Sequence, residues 1–308
     1  MEIKEFLKEI GFSPESVDLI EKAGSSFDLK ALQPYREKLI AAPTDIENVH
    51  ALEKALSPDE NGIKMLAYMA HCALQSMESY RQKGIPCSVF LATMQFLSRF
   101  YENDRALFGY PVFRWGWWFP RQLALKEFRI GIFEYEMTCR ENADILSLHI
   151  PSDANLTDEN IRCSFADAHA FFTKFYPSYA NVDVYCETWL LTPCLKELLS
   201  PSSRILHFQT FFDILHTDND SPAFRDWVFP GAPESIKDLP ENTSLQKNAK
   251  AYLLPAKKSA GLSASSKTVI SHKSLPRKCT RICRFLKNKT FFRIACRRNI
   301  LRRQAMFI

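Results

Sequence analysis

The chain has no CxxC pair, no HExxH, no run of about 20 apolar residues and, after residue 254, no acidic residue at all. Each absence removes a class of protein. Nine cysteines (72, 87, 139, 163, 186, 194, 279, 283, 296) are an odd, scattered number, which excludes a disulfide framework and points to a reducing compartment. No metal site is expected, because the one loose grouping, His272 with Cys279 and Cys283, lacks a paired-ligand spacing. The first residues, MEIKEFLKEIGF, contain acids and no apolar core of signal-peptide length. With no membrane span either, a cytoplasmic location is expected.

What is present is enough for two folded domains: 308 residues, 46% apolar and 24% charged. The net charge of +5 hides a division. Residues 1–254 carry 25 basic and 35 acidic side chains, and residues 255–308 carry 15 basic and none acidic. The body is therefore acidic, and overall basicity is no argument for nucleic-acid binding.

Up to about residue 107 the pattern is helical. Pro14, Pro43, Pro58 and Pro86 stand where a first helical turn tolerates a missing N–H. In Gly62–Tyr80 the residues Ile63, Leu66, Ala67, Ala70, Leu74 and Met77 recur at three- and four-residue steps, and Pro86–Leu107 repeats the pattern. Residues 110–125, YPVFRWGWWFPRQLAL, are too aromatic to stand in solvent and are read as core filling or a ligand platform at a seam between domains.

The period then changes to two. Phe128–Thr138 and Ile145–Ile150 predict a hairpin, Thr157–Tyr176 a helix, and Val182–Leu191 a buried strand. Strand, helix, strand predicts a right-handed crossover with parallel strands. A short helix (Cys194–Leu199), a long strand (Ile205–His216) and a last strand near Trp227–Phe229 are expected to follow. The fold class is α+β: a helical domain over 1–124, a mixed α/β domain over 125–254, and an irregular basic tail over 255–308.

The segments FRIGIFEYEM (128–137), LSLHIPSDANLT (146–157), CETWLLTPCLKELL (186–199) and SSRILHFQTFF (202–212) resemble a bacterial acyltransferase-domain family. That family joins a helical N-acyltransferase N-terminal domain to a GNAT-like C-terminal domain. The resemblance implies transfer of an acyl group from acyl-CoA to a small-molecule or peptide amine. It also implies a pantetheine arm lying between two splayed strands, along Leu148 and Ile150, with Ser152 in the loop beyond. The sequence departs from the pattern in that loop, where 151–160 has no glycine and carries Asp153, Asp158 and Glu159. Acids favour a helix N-terminus but repel a pyrophosphate.

Aminolysis of a thioester needs a base for the amine proton. His149, at the C-terminal end of the first splayed strand where open sheets bind ligands, is the base candidate; the alternative is a histidine bonded to a nearby loop. Cys186 is either a nucleophile or a small buried hydrophobe. Glu187, beside Tyr185 and Trp189, is either a base with a raised pKa or the partner of an arginine such as Arg129. Glu134 and Glu136 share a strand face and are expected to be solvated, with an acid/base site as the alternative.

The competing function is a ligand- or peptide-binding protein that keeps the scaffold without catalysis. A third reading makes the tail an RNA- or anionic-membrane-binding arm. That one requires the tail to be native. Shifted by one reading frame, the codons of 258–273 can encode a glycine- and aromatic-containing finish and then a stop, so the chain beyond about Leu254 is read as a frameshift product.

Overall fold

The computed structural model describes residues 1–217 and 223–254. The expectations placed on the tail, for its metal spacing, its binding role and its reading frame, lie outside the described residues. The chain divides into two compact units, residues 1–130 and the chain from Gly131 on.

The first unit is helical: α1 (Ile3–Glu9), α2 (Pro14–Gly24), α3 (Gln33–Ala41), α4 (Ile46–Leu56), α5 (Ile63–Gln82), α6 (Cys87–Met94), α7 (Phe96–Phe108) and α8 (Pro120–Leu123), followed by β1 (Glu127–Ile130). Helix α2 begins as the sequence dictates, with Pro14 in the first turn and the Ser13 hydroxyl accepting from the Ser16 amide at 3.2 Å. Pro86 is instead the N-cap of α6, and Pro43 and Pro58 precede α4 and α5 in turns. In the apolar stripe of α5, Leu66, Ala67 and Ala70 are buried while Ile63, Leu74 and Met77 are half-buried, and α5 packs against α1 and α2, whose Phe6, Leu7 and Ile20 are buried.

Residues 86–107 do not form a single helix but break at Gln95. The buried Thr93 hydroxyl donates to the Val89 carbonyl at 2.7 Å, an i−4 bond that bends helices, and also accepts from the Arg129 amide at 3.0 Å. The aromatic stretch packs within this unit, with ring centroids 4.2 Å apart for Phe100–Trp115 and 5.6 Å for Phe96–Phe119.

The second unit contains β2 (Phe133–Arg140), β3 (Ala143–His149), α9 (Asp158–Phe175), β4 (Asp183–Tyr185), α10 (Leu195–Leu198), α11 (Arg204–Gln209), α12 (Ala223–Val228) and α13 (Ser244–Leu253). The strand expected over 128–138 is interrupted at Gly131, whose φ of +61° turns the chain. A Cβ there would lie 2.9 Å from the Cα of Ser164, so the turn and the close approach to α9 both require glycine.

Strands β2 and β3 pair antiparallel through a two-residue turn in which Glu141 and Asn142 have φ of 50° and 67°. That is a type I′ turn, which suits the strand twist. β4 pairs with β3 in parallel, Ile145 with Asp183 through Ser147 with Tyr185, so the expected crossover through α9 is present. Tyr135, Leu146, Leu148 and Val184 are buried on the sheet, and ring contacts of Tyr135 with Phe172 and of Phe133 with Phe165 tie it to α9.

Three strand expectations are overturned. The strand expected over 182–191 ends at Tyr185 and gives way to a 3₁₀ turn, Trp189–Leu191. The long strand expected over 205–216 is α11, and the last one is α12. Six residues cannot separate a period of two from one helical turn. The local chemistry decides it: Ser203 caps the Ile205 amide at 3.2 Å, and Phe208 meets Phe212 four residues on at 4.5 Å. A second small core of Leu195, Leu198, Phe224, Val228, Leu239 and Ala249 closes around these short helices. α13 completes it behind a Thr243–Gln246 capping box.

Candidate active site

The ladder between β3 and β4 stops at the Ser147–Tyr185 pair, whereas β3 remains paired with β2 as far as His149 opposite Glu134. Beyond Ser147, therefore, one edge of β3 is no longer paired with β4, and among the described residues of the second unit no other strand is paired with it there. Leu148, His149 and Ile150 lie along that edge. Leu148 is buried on the α9 face, so its backbone is what it offers to the edge, and Ile150 is half-buried. Ser152 is exposed in the turn that follows, closed by the Ala154 amide donating to the Pro151 carbonyl.

His149 is half-buried, and a carboxylate of the neighbouring strand is one of its partners: Nε2 lies 3.1 Å from Oε2 of Glu136. Glu134 and Glu136, expected to be solvated, are both buried, at 5% and 8% exposure. A buried carboxylate is costly unless a polar group meets it, and Glu136 has His149. Alternation along β2 and β3 puts Glu134, Glu136, Ser147 and His149 on one face, with Phe133, Tyr135, Met137, Leu146 and Leu148 on the other.

Cys186 follows β4 directly and is 1% exposed. Burial, reinforced by the Glu187 carboxylate, pushes its thiol far above the ordinary range, so it stays protonated and packs as a small hydrophobe. Glu187 is half-buried.

The loop 151–157 leads into the N-terminus of α9, where the Thr157 hydroxyl accepts from the Asn160 amide at 3.3 Å. The first two amides of the helix, those of Asp158 and Glu159, have no helical carbonyl behind them. Asp158 is not a lone charge. Arg162 holds it through two bonds of 2.7 and 2.9 Å, and His207 of α11 meets it at 2.9 Å. The Arg162 bonds, then His207, lower its pKa. Arg204, also on α11, donates to the Asn155 side chain at 2.8 Å. The spacing of Asp158 and Arg162 was readable as a helical i, i+4 pair. His207 was missed because Ile205–His216 read as a strand, and Arg204 stands one residue before that segment.

The N-acyltransferase N-terminal domain model matches residues 1–125, and the GNAT-like C-terminal domain model matches residues 66–263. The fold is similar to the crystal structure of an acyltransferase in complex with decanoyl-CoA and teicoplanin, at a TM-score of 0.69 and 18% identity over 87% of this chain and 86% of that one. It is also similar to that of an acyltransferase in complex with CoA and 10C-teicoplanin, at 0.70 and 19% over 87% and 86%. Cobyric acid synthase of Klebsiella pneumoniae is 27% identical over 148 residues, 46% of this chain, and the match spans only 29% of that protein's length. With well over half its length matched by one domain model and its helical first part by the other, the chain belongs to the family that joins an N-acyltransferase N-terminal domain to a GNAT-like C-terminal domain.

Proposed function

We propose that the protein transfers an acyl group from acyl-CoA to the amine of a small molecule or peptide. The observation that carries this is the parting of β3 from β4 after Ser147, with His149 on the strand that continues. Past Ser147 the ladder to β4 has ended, and the backbone of β3 there can meet an extended amide-containing arm, as a sheet edge meets a peptide. The solved acyltransferases of similar fold hold CoA or decanoyl-CoA, and two of them hold teicoplanin or its 10C form as well.

His149 is the base in this reading. The amine nitrogen attacks the thioester carbonyl, a C–N bond forms and the C–S bond breaks. The amine proton passes to the imidazole and from it to the departing CoA thiolate. Cys186 takes no part, since a protonated thiol in the core is no nucleophile. Glu187, one residue further along the diverging chain, is assigned to holding the amine. The phosphates of CoA would meet side-chain cations in place of glycine amides: Arg162, Arg204 and His207 surround the first turn of α9, where Asp158 already spends its charge on two of them.

The glycine-free loop favours a second reading, a scaffold that binds a ligand without catalysis. Acetyl-CoA and decanoyl-CoA tested against the full chain separate the two. An enzyme is stabilised by about 2.7 kcal/mol at a hundredfold excess over Kd and releases CoA when an amine is supplied. His149→Ala is expected to lower kcat by about 10²- to 10⁴-fold with little change in KM for acyl-CoA. Absence of both the thermal shift and CoA release would overturn the enzyme reading.

A further inference from the structure

The mechanism above leaves Glu136 unused. Its carboxylate is buried on the polar face of the sheet, where an ion is costly unless something holds it. In the register Glu136 stands opposite Ser147, and His149 lies two residues further along β3. The 3.1 Å contact between Glu136 Oε2 and His149 Nε2 is therefore the diagonal one across the pair. Two adjacent strands fix both side chains at their roots, which is a rigid way to aim an imidazole.

We propose that Glu136 is a positioning residue for His149. It accepts from Nε2–H, which holds the imidazole in one tautomer and one orientation with the lone pair on Nδ1, and its charge stabilises the imidazolium formed when Nδ1 takes the amine proton. This rests on the reading of His149 as the base. It makes Nδ1 the reacting atom and explains why a carboxylate is kept on a buried strand face.

The test is made on the full chain with ¹⁵N-labelled histidine, the His149 ring signals being assigned by their loss in His149→Gln. The neutral wild-type ring is expected as the Nε2–H tautomer, and Glu136→Ala is expected to turn it into a mixture. Glu136→Gln keeps the volume and the acceptor oxygen but not the charge. It should therefore keep the tautomer while kcat falls about 10- to 100-fold and KM for acyl-CoA stays within about twofold, with Glu136→Asp recovering part of the loss. An Nδ1–H tautomer in the wild type, or wild-type kcat in Glu136→Gln when His149→Ala is inactive, would overturn the proposal. If Glu136→Ala does not fold, the wild-type tautomer and the Glu136→Gln kinetics decide. If His149→Ala keeps its turnover, the base assignment fails separately, and the tautomer alone then decides whether Glu136 positions the ring.

Discussion

Cys186 and His149 sit where β4 and β3 part, and their surroundings assign them opposite roles. The thiol is fully covered and held protonated by burial, while the imidazole is half-covered and bonded to a carboxylate. Cys186→Ala is accordingly expected to leave kcat within about twofold of wild type and to lower stability by about 1 kcal/mol, read from urea denaturation. A nucleophile would lose its turnover altogether on the same substitution. The sequence shows that Glu134 and Glu136 share a face, but whether a face meets water is decided by what covers it, and a two-residue period contains no information on that.

At the scale of elements, local chemistry was largely readable where it was strong. Thr157 before an apolar-periodic run marks the start of α9, and Pro177 marks its end. Thr157→Ala should cost about 1 kcal/mol by removing the cap on the Asn160 amide. Gly131→Ala should cost about 1–3 kcal/mol, because the new Cβ meets the left-handed backbone penalty and the Ser164 backbone together. Equal urea midpoints for wild type and Gly131→Ala would show that the turn can relax. The short segments failed as sequence readings for a physical reason: α11 and α12 are six residues each, and one helical turn satisfies an alternating pattern of that length equally well, the Ser203 cap and the Phe208–Phe212 contact favouring the helix in α11.

For the whole molecule, acid should remove stability in two windows. His71 of α5 is held below its ordinary value of 6.5 by burial, so the unfolded chain binds its proton first, and stability falls as pH drops through and below about 6.5. Asp158 is held below its ordinary 3.8 by Arg162 and His207, so its contribution is present above that value and is lost as pH falls through the lowered one. Thermal denaturation between pH 7 and 5 should show a shallower decline in His71→Gln than in wild type. An identical slope would remove His71 from the account.

By itself the sequence determined the helical character of the first unit, the hairpin, the crossover helix and the parallel pairing that follows from it. These rest on period, caps and turn residues, all of which act within a few positions along the chain. It also placed His149 at a strand end. Only the tertiary structure decided that β4 leaves β3 after three paired residues, that Glu136 is buried and reaches His149 diagonally, and that α11 brings His207 and Arg204 to the first turn of α9. Those are contacts between residues 13 to 49 positions apart. Which pairs meet at such separations is set by how the layers pack, and no local pattern encodes it.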